Sequence, residues 1–220
     1  MGTYRFSEGL PAYHTGMPSL PAAVLRDPAA LAEALDEHGA CLLLGFPSPS
    51  GTSGLRVELR RLQATDALRP AEVGHGRSHH LRIAIRGDDT RWMDADSGAA
   101  ATAYLSALRA LRMAMNRRLF LGLKEEEAHF ACYPSGASYH RHRDQFQDSD
   151  ARVLSMVSYL NENWLPEHGG ALRLYLPQGT IDVLPNAGTS VVFLSGIEHE
   201  VLPATRERLS VAAWLRQRAA

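Results

Sequence analysis

The chain is short of several things that would have narrowed its class at once. Only two of its 220 residues are cysteines, Cys41 and Cys132, and they lie far apart. A disulfide framework is excluded, and a reducing cytoplasm is the expected setting. An excess of either charge is also missing, since the net charge is −1. Neither nucleic acid nor an anionic membrane surface is then expected as a partner. No apolar run approaches the ~18 residues of a membrane span. The opening "MGTYRFSEGLPAYHTG" lacks the basic-then-apolar layout of a secretory signal. Internal repeats and low-complexity tracts are absent. What remains is ordinary for a soluble globular protein, 45% hydrophobic and 21% charged, and long enough to bury a sizeable core.

Residues 1–25 are rich in Pro and Gly and read as an irregular arm. "RDPAALAEALDEHG" predicts a helix, with Asp27 as its cap, Pro28 at the first position and Gly39 at its end. "ACLLLGF" predicts a short buried strand. "GLRVELRRLQ" places Leu55, Leu59 and Leu62 on one helical face. The longest helix is predicted over about 99–119, where Leu105, Leu108, Leu111, Met115 and Leu119 recur at steps of three and four. That stripe reads as core packing. From residue 126 the period changes to short runs such as "RVLSMVSYLNENW", "GGALRLYLPQG" and "TSVVFLSG". These predict mainly antiparallel strands. The expected class is α+β, mainly β: a single domain over 1–220, with mainly helical support in 26–125 and a β core in 126–216.

Chemistry concentrates in "SYHRHRDQF", residues 138–146, where His140, His142 and Asp144 fall within five positions. A zinc hydrolase of the metallo-β-lactamase type would need histidine after Asp144, but Gln145 stands there. A His/His/carboxylate triad for non-haem Fe(II) fits better. In an extended segment His142 and Asp144 share a face. His199 in "GIEHEVL" is placed to come from an antiparallel strand as the third ligand. Such a triad leaves three positions open for O2 and a chelating cosubstrate. The plain alternative is that these are polar side chains reaching into solvent at a strand end. That reading is applied to His14, His38, His75, His79, His80 and His168. His140 shares the face of His142 but is expected to be a non-ligand, because another protein nitrogen would close the site.

Arg208, nine residues after His199, carries a guanidinium that needs a carboxylate if buried. A dicarboxylate cosubstrate could supply one, bidentate on Arg208, with Tyr159 adding a phenolic hydrogen bond.

"IRGDDTRW" at 85–92, "ACYPSG" at 131–136, "YHRHRD" at 139–144, "SYLNENW" at 158–164, "GGALRLY" at 169–175 and "EHEVLPATRERLSVAAW" at 198–214 form an ordered set. Together they resemble the prolyl-hydroxylase branch of the Fe(II)- and 2-oxoglutarate-dependent oxygenases. That branch includes the hypoxia-inducible-factor prolyl hydroxylases and their bacterial relatives. The resemblance implies a double-stranded β-helix (jelly-roll) core backed by the N-terminal helices. It implies iron on His142, Asp144 and His199. It also implies 2-oxoglutarate on Arg208 and Tyr159, with Tyr133 beside the chelating end. O2 is the other cosubstrate, and ascorbate is a candidate auxiliary. Tyr139 and Trp214 match aromatics near the prolyl pocket. Asp88 and Arg152 match a charge pair tying a substrate-covering loop to the barrel. Ala212 stands where animal members carry a hydroxyl residue. "DALRPAEVGHGRSHHL" matches no known loop, yet is expected to belong to the substrate lid over 66–88.

The implied activity is that of a dioxygenase of the peptidyl-prolyl 4-hydroxylase kind, similar in reaction to procollagen-proline dioxygenases. The expected partner is a protein with a target proline, elongation factor Tu being a candidate by resemblance. The alternatives are hydroxylation of a small molecule or another residue type, and a metal-binding β-barrel sensor without turnover. The sequence leaves the oligomeric state and oxygen affinity open.

Overall fold

Local signals set the helix ends. In this computed structural model, which describes residues 19–71, 85–94, 96–145 and 151–217, helix α1 (Pro28–His38) starts where Asp27 accepts a hydrogen bond from the Ala30 N–H at 3.1 Å. It ends at Gly39, whose φ of 73° turns its N–H back to the Leu35 carbonyl. Helix α2 (Pro49–Ala64) is capped by Ser48, which accepts from the Gly51 N–H. Helix α3 (Ala99–Leu119) has no side-chain cap of its own. Glu58 of α2 supplies one, its carboxylate accepting from the Ala100 and Ala101 N–H groups at 2.8 and 2.9 Å. Gly98 makes room for it, since a Cβ there would fall 2.2 Å from a Glu58 oxygen. No described helix is long and apolar enough to cross a membrane.

The expected apolar stripe of α3 is mostly buried. Leu108, Leu111 and Met115 are core, joined by Tyr104, whereas Leu105 and Leu119 are only partly covered. Leu55, Leu59 and Leu62 of α2 are all buried as expected. The Tyr104 phenol pairs with Ser158 at 2.9 Å, and Ser158 with Ser190 at 2.6 Å, so polar atoms under the helices are satisfied.

Twelve strands are found among the described residues: β1 (Ala22–Val24), β2 (Ala40–Leu44), β3 (Arg69–Pro70), β4 (Asp89–Trp92), β5 (Glu125–Tyr133), β6 (Tyr139–His142), β7 (Arg152–Tyr159), β8 (Leu172–Leu176), β9 (Gly179–Val183), β10 (Thr189–Leu194), β11 (Glu198–Val201) and β12 (Arg208–Arg216). A major sheet has the order β1-β2-β10-β7-β12-β5-β4-β3, and a minor sheet the order β6-β11-β8-β9. Alternation along β12 explains the layering. Leu209, Val211, Ala213 and Leu215 face the helices, in one core with Leu35, Leu59 and Leu108. Each Val- or Leu-sized side chain so buried contributes roughly 1.5–3 kcal/mol. Arg208, Ser210, Ala212 and Trp214 face the other way, toward the minor sheet, and line a cavity. Between the sheets Tyr159, Val191 and Phe193 meet Leu172, Leu174 and Val201 in a second core. The result is the jelly-roll with helices on one outer face.

One boundary differs from expectation. Residues 22–24, placed in the irregular arm, form β1, because they pair in parallel with the free edge of β2. Residues 1–18 of that arm lie outside the described residues, as do His75, His79 and His80. The mainly helical segment 26–125 lends the major sheet β3 and β4 as well as β2, the strand expected from "ACLLLGF". Of the expected lid, 72–84 lie outside the described residues. β3, near its start, pairs with β4, just past its end.

Candidate active site

Residues far apart in sequence meet because β6 and β11 are antiparallel neighbours with His142 opposite His199. Asp144, just past β6, is fixed by its own N–H donating to the Ser195 carbonyl at 3.1 Å. Its Oδ1 lies 3.7 Å from His142 Nε2 and its Oδ2 lies 3.6 Å from His199 Nε2. One donor atom from each residue falls within 4.8 Å of the others, and among the described residues this is the group of metal-capable side chains.

The two histidines are held by the same device. Nδ1–H of His142 donates to the His140 carbonyl at 2.7 Å, and Nδ1–H of His199 to the Ile197 carbonyl at 3.0 Å. A carbonyl only accepts, so both protons sit on Nδ1 and both Nε2 lone pairs face the site. Burial pushes His199 down to about 4, which keeps that imidazole neutral. Burial alone would raise Asp144; positive charge on His199 and His142 and the Ser155 hydroxyl act to lower it, and with His199 neutral the hydroxyl is the donor that remains. Ser155 donates to Asp144 Oδ2 at 2.7 Å and is itself paired with Ser195 at 2.9 Å. Two imidazole nitrogens and one oriented carboxylate fit a divalent transition-metal ion. His140 is exposed and outside this group, as expected of a non-ligand.

Arg208 is 1% exposed. Its Nε donates to the Gly170 carbonyl at 2.9 Å and its Nη1 to Ser210 Oγ at 3.2 Å. Its Nη2 has no partner among the described residues, and neither has the buried Tyr159 hydroxyl. The guanidinium carbon lies 5.2 Å from the Tyr133 ring centre and 5.3 Å from that of Tyr159. Unpaired buried donors are costly. Here a cation on the cavity wall and a phenol close to it both keep an open donor, which fits the far carboxylate of a dicarboxylate. Burial pushes the Tyr133 and Tyr159 phenols up, so both stay protonated and able to donate.

The curated human protein "Prolyl hydroxylase EGLN3" is 30% identical over 191 residues, covering 82% of this chain and 79% of that one. The family model described as the 2OG-Fe(II) oxygenase superfamily matches residues 128–216, the stretch that holds all three metal-capable residues and Arg208. The chain belongs to the 2OG-Fe(II) oxygenase superfamily. Among solved structures, a Pseudomonas putida prolyl-4-hydroxylase is 46% identical with a TM-score of 0.79, covering 87% of this chain and 99% of that one. A Trichoplax adhaerens prolyl hydroxylase in complex with a hypoxia-inducible-factor peptide fragment is 26% identical with a TM-score of 0.78, covering 88% and 90%.

The cavity of this oxygenase is about 850 Å³ and holds the triad, Arg208, Tyr133, Tyr139, Arg86, Trp92, Arg152 and Trp214 on its walls. Tyr139 stacks on His142 at 3.6 Å between ring centres, and Arg86 lies over its ring at 4.8 Å. Trp214 is buried, with the Arg152 guanidinium 3.8 Å above its ring. The expected Asp88–Arg152 pair is replaced by two others. Asp88 is gripped by Arg86, whose Nε and Nη2 donate to its two oxygens at 2.7 and 3.1 Å. Arg152 donates to Glu127 at 2.9 Å. The physical reason is proximity: Arg86 stands two residues from Asp88, and Glu127 of β5 lies across β12 from the start of β7, within reach of the long Arg152 side chain. Ser155, Arg86, Trp92 and His129 were not singled out from sequence. Arg86 and Trp92 lie inside the quoted "IRGDDTRW", but which of its side chains face the cavity is set by strand pairing.

Proposed function

We propose that this chain hydroxylates a prolyl residue of a protein substrate, converting 2-oxoglutarate and O2 to succinate and CO2 as one oxygen atom enters the C–H bond. The single observation that carries the reading is the cavity itself. A His, His, carboxylate triad lines it at one point and Arg208, with an open donor, at another, the ring of the unpartnered Tyr159 lying 5.3 Å from that guanidinium. The triad would hold Fe(II), which when bound supplies the activation of O2.

The chain's own residues do the rest. His142 and His199 present lone pairs because backbone carbonyls hold their other nitrogens. Ser155 keeps Asp144 turned to the site. Arg208 and Tyr159 take the distal carboxylate of 2-oxoglutarate, which orients its keto-acid end toward the triad, with Tyr133 alongside. Arg208 and Tyr159 are buried, so electrostatic contacts to them are strong. Tyr139 and Trp214 offer flat apolar faces near the triad for a pyrrolidine ring, whose fixed φ lowers the ordering cost of a bound peptide. The names of the human and Pseudomonas relatives, both prolyl hydroxylases, support this substrate class.

Mass spectrometry of host proteins with and without the enzyme tests the reading. A gain of about 16 Da, one oxygen, is expected on a prolyl residue. Elongation factor Tu is the first protein to inspect. Oxygen found only on free proline or on a metabolite would favour the small-molecule alternative. Absence of any succinate release would favour a non-catalytic metal-binding module.

A further inference from the structure

Charge on the helix layer is segregated. No Asp or Glu occurs between Ser97 and Lys124, so α3 carries Arg109, Arg112, Arg117 and Arg118 and no acid. Helix α1 is the reverse, with Glu33, Asp36 and Glu37 and no Lys or Arg. The two helices touch each other and rest on β2 and β5 of the major sheet. Among the described residues no ion pair joins them. Glu37 has only its neighbour His38, at 3.6 Å. Arg109 and Arg112 share the single carboxylate of Glu126, and Arg117 and Arg118 have no carboxylate partner among the described residues. Neither helix lends a residue to the cavity wall.

Helical spacing shows which way these groups point. Leu31 and Leu35 are buried beneath α1, whereas Glu33, Asp36 and Glu37 are exposed on its far side. Tyr104, Leu108, Leu111 and Met115 fix the inner face of α3. Ser106, Arg109, Met113, Arg117 and Phe120, at steps of three and four, run down its exposed outer face. Local helix chemistry does not account for these outer faces. The dipole at a helix C-terminus disfavours carboxylates, yet Asp36 and Glu37 sit in the last turn of α1. Phe120 caps α3 at φ 52°, in the left-handed region where bulky residues are rare. Its side chain is left 87% exposed, and Met113, seven residues back, is 50% exposed.

We propose that α1 and α3 form the interface of a two-fold homodimer, the acidic face of α1 in each copy lying on the basic face of α3 in the other, with Met113 and Phe120 covered between them. Neighbouring helices of opposite charge make a patch that complements itself after a half-turn, which is the condition for an isologous contact. The charges also choose this pairing, since α3 laid on α3 would set arginine against arginine. Helices of 11 and 21 residues are about 16 and 31 Å long. With faces about 10 Å wide, they offer roughly 500 Å² per copy, at the low end for a specific contact. The dimer is therefore of micromolar affinity and weakened by salt, which screens exposed charges. Both cavities stay open in it, because the helices lie on the other side of the major sheet.

Sedimentation velocity of the full chain over about 1–500 μM tests the interface. The mass should rise from one chain to two across that range, with at least about tenfold weaker association in ~500 mM than in ~50 mM salt. One variant, Glu33→Lys/Asp36→Lys/Glu37→Lys, reverses α1. A second, Arg109→Glu/Arg117→Glu, reverses α3. Each alone should stay monomeric, because like charges then meet. Mixed in equal amounts the two should associate, since each supplies the face that the other needs, and a misfolded variant would not recover in this way. Phe120→Ala should weaken the wild-type dimer by about tenfold. Melting temperature and 2-oxoglutarate affinity should match wild type throughout. A wild-type chain that stays single at every concentration, reversed variants that dimerise as wild type does, or a mixture that stays monomeric would overturn the interface.

Discussion

Replacing Arg208 with alanine separates its role in binding from its role in the fold. The guanidinium is buried, its protein partners are neutral, and Nη2 is open. Loss of a charge-assisted bidentate contact to the cosubstrate is worth about 3 kcal/mol, a rise of roughly a hundredfold in the 2-oxoglutarate Kd. The unliganded protein should change less. Removing an uncompensated buried charge is favourable, whereas stranding the Gly170 carbonyl costs ~1–3 kcal/mol, and the two oppose. Thermal unfolding with and without cosubstrate reads both effects. At 100 times the wild-type Kd, 2-oxoglutarate stabilises wild type by about 2.7 kcal/mol, but a variant with a hundredfold weaker Kd gains only about 0.4 kcal/mol. Tyr159→Phe removes one neutral donor and should weaken binding by roughly fivefold. A wild-type cosubstrate dependence in Arg208→Ala would refute the assignment.

Three further outcomes are expected. Alanine at His142, Asp144 or His199 should abolish Fe(II) binding measured by calorimetry or metal analysis, whereas His140→Ala should retain it; retained metal in His199→Ala would break the triad assignment. Ser155→Ala frees the Asp144 carboxylate from its hydroxyl donor and should weaken metal affinity by about tenfold or more. Glu58→Ala uncaps α3 and should lower stability by ~1–2 kcal/mol in denaturant unfolding, with 2-oxoglutarate affinity unaffected.

Much of this was readable from the chain because it is encoded locally. Asp27 and Gly39 bound α1 by their own hydrogen-bonding chemistry, and the leucine spacing of 99–119 marks α3 end to end. His142, Asp144, His199 and Arg208 stand out because their residue types and order are unusual together. What escaped was set by pairing across the sheet. β1 exists only because β2 has an open edge to pair with. β4, "DTRW", has no alternation of its own, so the placing of Trp92 beside His129 appears only in the β4–β5 register. Ser155 looks like any strand serine until β7 brings it under Asp144. Asp88 had two arginines to choose from, and the nearer one, Arg86, takes it.

The most direct measurement of the central claim is the stoichiometry of turnover. Purified enzyme is supplied with Fe(II), 2-oxoglutarate, O2 and a peptide bearing a proline found hydroxylated in the host, and succinate and hydroxyproline are counted together. The account predicts one hydroxyprolyl residue for each succinate, lost in His199→Ala and restored in Arg208→Ala only at high 2-oxoglutarate. Succinate formed without hydroxyproline, or hydroxyproline formed by the His199→Ala enzyme, would contradict it.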